Sequence, residues 1–237
     1  QVLLTLAERY PTLKYQPEKA VQALQKAIQF DPDNHRAFAL LAEALAATQN
    51  HTAALEIYQK VLDTSLLNDP AWSSRLAIGM GRTALALGKP EVAIASMQDV
   101  IQNDPEESQP YRLLAEAYLA AHLPENALRA AQSAILLRDD DPQTITWVGP
   151  FIKRLLDQNN IELSKPGNSS LLRQVLEDSI HTITEIIQAK PDQIGHAISL
   201  SELQNLAGDP KSARQSLIAI THSDRAQSPD LIKAAEH

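Results

Sequence analysis

The apolar positions of this chain recur in a fixed order. A small residue is followed four positions later by an apolar one, three positions on by another, and then by a proline. The series reads Ala20, Leu24, Ala27 with Pro32; Ala54, Tyr58, Val61 with Pro70; Ala93, Met97, Val100 with Pro105; and Ala127, Ala131, Ala134 with Pro142. A weaker copy, Ser179, Ile183, Ile186 with Pro191, precedes the last, Ala213, Leu217 and Ile220. Offsets of four and three fall on one face of an α-helix, so each set predicts a helix with a buried stripe. The small residue lets a neighbouring helix come close. The proline is expected to stop the helix, because it lacks an N–H and disfavours helix in the residue before it. The aspartate that usually precedes it (Asp31, Asp69, Asp104, Asp141) suits a turn.

A partner helix precedes most of these stripes. Its buried face reads Phe38, Leu41, Ala42, Leu45; then Ala77, Met80, Gly81, Ala84; then Tyr111, Leu114, Ala115, Tyr118; and finally Ala197, Leu200, Ser201, Gln204. Pro17-Glu18, Pro90-Glu91, Pro124-Glu125 and Pro210 stand where second helices should begin, since proline is tolerated in a first turn and glutamate complements the positive helix end. Gly88, Gly208 and Asn50 are expected to supply the left-handed residue closing the helix before. Steps between the first members of successive stripes are 34, 39, 34, 52 and 34 residues. The extra residues are expected in loops, mostly between Asp63 and Asp69 and between Asn159 and Ser170, where insertion costs little. Pro150 is expected to interrupt a first helix, leaving helices over about 151–158 and 170–189, and Tyr10-Pro11 to break the opening helix early. A further helix is expected over Asp230–Glu236.

A period of 34 residues carrying Tyr111-x2-Leu114-Ala115-x2-Tyr118, with Ala127 and Ala131 after it, resembles the tetratricopeptide repeat, whose pattern is W-x2-L-G-x2-Y, then A-x3-F, then P. Gly81 keeps the family's glycine at the small position of the first helix. The resemblance spans most of residues 1–222 and is strongest over 35–136. It implies an all-α fold: an α-solenoid of about six antiparallel helix pairs wound into a right-handed superhelix with a concave groove. The organisation it implies is four repeats over 1–142, a degenerate repeat over 143–192 with an inserted loop near 159–170, and a last repeat with a partial capping helix over 193–237. It also implies a protein that holds another protein rather than a catalyst.

Composition narrows the picture. An apolar fraction of 44% excludes a disordered chain, and a 4% aromatic fraction with abundant Ala and Leu favours helix over sheet. The net charge of −8 makes nucleic acid a poor partner. With no cysteine, disulfides, a thiolate nucleophile and Cys-based zinc sites are excluded. The lack of cysteine fits the cytoplasm and a bacterial cell envelope equally, so localisation stays open. No stretch approaches the roughly 18 apolar residues of a membrane span, so no direct membrane insertion is expected. Beginning at Gln1, the chain reads as a fragment or a processed product, with an upstream signal or anchor still open.

Binding residues should lie on the first-helix face opposite the packing stripe. That face reads Arg36, Ala39, Glu43, Ala46; then Arg75, Ile78, Arg82, Leu85; then Gln109, Arg112, Glu116, Leu119. Several arginines there would grip a carboxylate or an acidic peptide through paired hydrogen bonds, with Ala39, Ala46 and Ala47 leaving room for a peptide backbone. The plainer alternative is a solvated surface in which Arg112 and Glu116 form an ordinary pair one turn apart. The family's Lys/Asn/Arg set for chaperone C-termini is absent, since Ala39, Leu40, Glu43, Ile78 and Gly79 occupy matching positions.

Other motifs carry less. His181 and Glu185, one turn apart, are too few for a metal site, and no HExxH exists. Asp139-Asp140-Asp141 lacks the spaced ligands of a calcium loop and reads as a charged turn. His51 and His122 are expected at turns. Trp72 and Trp147 are expected to pack between repeats. The triplets at Asn50 and Asn168 matter only in a glycosylating secretory route. No nucleotide or nucleophile motif is present, so no cofactor, metal or catalytic residue is expected. The leading expectation is a scaffold or adaptor binding a peptide or helix in the groove. Alternatives are a self-associating module (a homo-oligomer) and a regulatory domain of a larger enzyme.

Overall fold

The computed structural model describes residues 17–63, 70–137, 141–159, 170–189 and 194–221. Eleven helices and no strand occur among them: α1 (Pro17–Phe30), α2 (His35–Ala47), α3 (His51–Asp63), α4 (Pro70–Ala86), α5 (Pro90–Asn103), α6 (Ser108–Ala120), α7 (Pro124–Leu136), α8 (Pro142–Asn159), α9 (Ser170–Ala189), α10 (Ile194–Leu206) and α11 (Pro210–Thr221). They are all-α helix pairs of the repeat kind that the periodicity predicts. The Tyr10-Pro11 break, most of both inserted loops, Asp139, Asp140, Pro191 and the 230–236 helix lie outside the described residues.

Two compact units divide at Pro105, between the third and fourth repeats. In the first, α2 packs on α1 and α3, α3 on α4, and α4 on α5, with α2 also touching α4. Its core joins Leu24, Leu41, Leu45, Tyr58, Val61 and Leu76. In the second, α6 and α7 pair, as do α10 and α11, while α9 packs on α7 and α10, and α8 on α6, α7 and α10. Within each unit the helices packed together supply the surface that covers the buried stripes.

Five of the six small residues behave as expected: Ala54, Ala93, Ala127, Ser179 and Ala213 are at most 2% exposed, whereas Ala20 is half-buried. The buried Ser179 hydroxyl donates to the Val175 carbonyl at 2.6 Å, so it leaves no unmet hydrogen bond. Gly81 sits where a Cβ would fall 2.8 Å from Met97 Cε. Gly79 makes the same kind of room for Tyr58, whose hydroxyl would lie 2.6 Å from an added Cβ.

Four helix-closing turns share one hydrogen-bond pattern. The amides of Asn50, Lys89, Leu123 and Asp209 reach back to the carbonyls of Leu45, Ala84, Tyr118 and Gln204, five residues earlier, at 2.9 Å each. The residue before each amide is left-handed, with φ of 62° at Gln49, 66° at Gly88, 59° at His122 and 84° at Gly208. This is the double-bonded αL closure of a helix end. Gly88 and Gly208 were expected there. At the first turn the role falls on Gln49, one residue before the expected Asn50.

Three prolines act differently from the sequence expectation. Pro70 and Pro142 open α4 and α8 rather than ending a helix. At the first position of a helix the missing N–H costs nothing. Asp141 caps α8, its two carboxylate oxygens accepting from the amides of Gln143 and Thr144 at 3.1 and 3.2 Å. Pro150 lies inside α8, which runs unbroken from Pro142 to Asn159. The residue before it is Gly149, which has no Cβ to clash with the proline ring. The same bare position admits Glu202 of α10, since a Cβ there would fall 2.9 Å from Glu202 Oε2.

Candidate partner-binding faces

In the first unit the predicted face is built by α2 and α4. Arg75 donates from Nε and Nη2 to Glu43 Oε1 and Oε2 at 2.6 and 2.7 Å. This paired geometry joins two neighbouring first helices and raises the Arg75 pKa, chiefly through the hydrogen bond to Glu43. Trp72, three residues before Arg75, lies under two guanidinium groups, with Arg75 at 4.9 Å and Arg36 at 5.7 Å from its ring. Arg36 and Arg82 are exposed, and neither has a carboxylate partner among the described residues. Ala39 and Ile78 are buried, at 0% and 8% exposed. Ala39 is packed into the core rather than left open as room for a peptide backbone, as the sequence suggested.

Tyr58 of α3 is 2% exposed. Burial pushes its hydroxyl pKa far above the ordinary tyrosine value, with Glu43 adding to the shift.

In the second unit the equivalent face is built by α6 and α8. Arg112 Nη2 is 3.3 Å from both Asp141 Oδ2 and Gln143 Oε1. Its side chain is 11% exposed, so this cation is largely spent inside the unit. Glu116 Oε1 accepts from Trp147 Nε1 at 2.6 Å and pairs with Arg154. Trp147 in turn stacks on Phe151, with ring centroids 4.5 Å apart. Beside them, the hydroxyls of Ser108 and Thr144 meet at 3.0 Å in a buried contact between α6 and α8. Gln109 is half-buried on the same helix. The contacts of Arg112 and Glu116 described here therefore run to the next first helix.

Glu43 and Glu116 occupy equivalent places in their repeats, and each takes a cation from the first helix that follows. Sequence reading missed Trp147, Gln143 and Arg154 as members of the second face. The signal was present, since Gln143, Pro150 and Arg154 share one helical side, but an expected break at Pro150 hid it. His181 Nε2 is 3.4 Å from Glu185 Oε1 on an exposed side of α9. Among the described residues no group of three His, Cys, Asp or Glu could hold a metal. No helix there is long and apolar enough to cross a membrane.

Comparison with known proteins agrees with this architecture. Two models described as tetratricopeptide repeat match residues 13–77 and 78–143. No curated protein sequence matches. Among solved structures, Pseudomonas aeruginosa PilF is similar over 100% of this chain and 96% of its own, at 18% identity and a TM-score of 0.60. MamA from Desulfovibrio magneticus RS-1 is similar over 96% of each chain, at 17% identity and a TM-score of 0.52. YrrB, described as a TPR protein with an unusual peptide-binding site, covers 91% of this chain and 98% of its own, at 16% identity and a TM-score of 0.52. At these identities the likeness is one of fold.

Proposed function

We propose, because this chain belongs to the tetratricopeptide repeat family, that its first-helix faces hold a peptide or helix of another protein. The family fold is an interaction scaffold, and its partner here is a protein. The finer reading concerns which groups do the holding. One observation carries it: Arg36 and Arg82 stand exposed and without a carboxylate partner among the described residues, Arg36 over the Trp72 ring and Arg82 two turns along α4 from the Arg75–Glu43 clasp. A carboxylate-bearing segment laid along this face would find two cations whose charge is not already neutralised. Arg75, Glu43, Arg112, Gln109 and Glu116 would then shape and stiffen the faces rather than supply free charge.

Capture from the native lysate tests this reading, using wild type and an Arg36→Glu/Arg82→Glu variant as baits. The bound partner should be lost from the variant, with helix content by circular dichroism unchanged. Equal capture by both proteins would discard the acidic-ligand reading.

A further inference from the structure

The first unit has a concavity on the side away from the arginines. A cleft of about 790 Å3 is walled by α3 and α5 and floored by α4. Its floor and walls include Leu62, Ala77, Met80 and Val92. On α4 the lining residues Ser73, Ala77 and Met80 lie on the side opposite Arg75 and Arg82, given roughly 100° of turn per residue. The cleft is therefore separate from the first-helix face.

Its charge has one sign. The charged lining residues are Glu91 and Asp99, and no Lys or Arg lines it. Both are exposed, and neither carboxylate has an ion-pair partner among the described residues. They stand on one side of α5, eight residues apart, which is about 12 Å along the helix. Between them the exposed Ala95 leaves the cleft mouth open.

We infer that this cleft is a second docking surface, which receives a helical segment of a partner protein carrying an apolar side chain between two basic residues. The apolar side chain enters over Met80 and Val92. The two Lys or Arg residues, about two turns apart, meet Glu91 and Asp99. A helix laid in a groove between helices is an established recognition geometry. The acidic rim decides the sign of its charges, and the net charge of −8 favours the same encounter at longer range.

Random peptides displayed on phage and selected on the full chain test this. Enriched peptides are titrated by fluorescence anisotropy against wild type, Ala95→Arg, Glu91→Lys/Asp99→Lys and Arg36→Glu/Arg82→Glu. Ala95 is exposed and helical, and arginine is itself a good helix former, so the substitution leaves the helix intact. The expected outcome is a group of peptides with an apolar residue flanked by Lys or Arg. Their affinity falls about tenfold or more in the first two variants and holds in the third. The inference is overturned if no selected peptide responds to Ala95→Arg, or if the responding peptides are acidic. It is equally overturned if wild type sediments as a dimer that Ala95→Arg dissolves, because the occupant is then a second copy. Peptides weakened only by Arg36→Glu/Arg82→Glu would support the first-helix reading and count against this one.

Discussion

Arg75 of α4 grips Glu43 of α2 with both ends of its guanidinium fork, at 2.6 and 2.7 Å, across 32 residues of sequence. The pair links two successive first helices of the first unit. It lies half in solvent, with side-chain exposures of 54% for Arg75 and 22% for Glu43. A double-mutant cycle with Arg75→Ala and Glu43→Ala should therefore give a modest coupling, about 0.5–1 kcal/mol, that shrinks at high salt. Urea unfolding at low and high ionic strength measures it. A coupling indifferent to salt would mean that the link is packing rather than charge.

The helix-closing turns make a second prediction. Gln49 and His122 hold a left-handed backbone that strains any residue with a Cβ, whereas Gly88 and Gly208 hold it freely. Gln49→Gly and His122→Gly should each raise stability by about 0.5–1 kcal/mol. Gly88→Ala and Gly208→Ala should each lower it by about 1 kcal/mol. An added Cβ at Gly88 or Gly208 meets nothing within 4 Å, so the loss is purely one of backbone. Thermal melts of the four variants check the signs.

Third, Gly79→Ala should destabilise the first unit by about 1–3 kcal/mol, because its Cβ would fall 2.6 Å from the Tyr58 hydroxyl and 2.8 Å from Tyr58 Cζ. Tyr58→Phe removes the closer of these atoms. The two substitutions together should then cost less than their sum. Simple additivity in denaturant unfolding would show that the ring moves aside without penalty.

A fourth prediction concerns acid. Glu202 is exposed overall, but the part of its side chain packed at Gly149 is desolvated, which raises its pKa above the ordinary glutamate value, with Lys153 partly opposing the shift. A raised folded-state pKa means that the folded chain binds its proton more readily than the unfolded one. Stability from this group is thus lost as pH rises from the unfolded value through the folded one. Glu202→Gln should be more stable than wild type at neutral pH. The difference should close as pH falls below the carboxylate range, where Glu202 is itself protonated. Melting temperatures across that range decide it, and a constant difference at all pH values would remove burial as the cause.

The repeat frame was legible because it rests on one-dimensional information. A 34-residue step, small residues at Ala54, Ala93 and Ala127, and first-turn prolines at 17, 90, 124 and 210 can all be read without knowing which helix meets which. Pro150 was misread because its effect depends on its neighbour. A proline after Gly149 is far less disruptive to a helix than a proline after a residue with a Cβ. The binding face was only half legible. Spacing placed Arg36, Arg75, Arg82 and Arg112 on one side, but which cations are already neutralised depends on the next repeat. Arg75 and Arg112 find carboxylates at Glu43 and Asp141, whereas Arg36 and Arg82 do not among the described residues. Periodicity within one helix says nothing about that.

The four identical turns also bear on how the chain reaches this state. Each closes through backbone bonds spanning six residues, with no help from a distant segment. A hairpin of two helices can then assemble from adjacent chain alone, and contacts of short sequence separation form fast. The hairpins α2–α3, α4–α5, α6–α7 and α10–α11 are therefore expected to be the first structure the chain forms as it is synthesised.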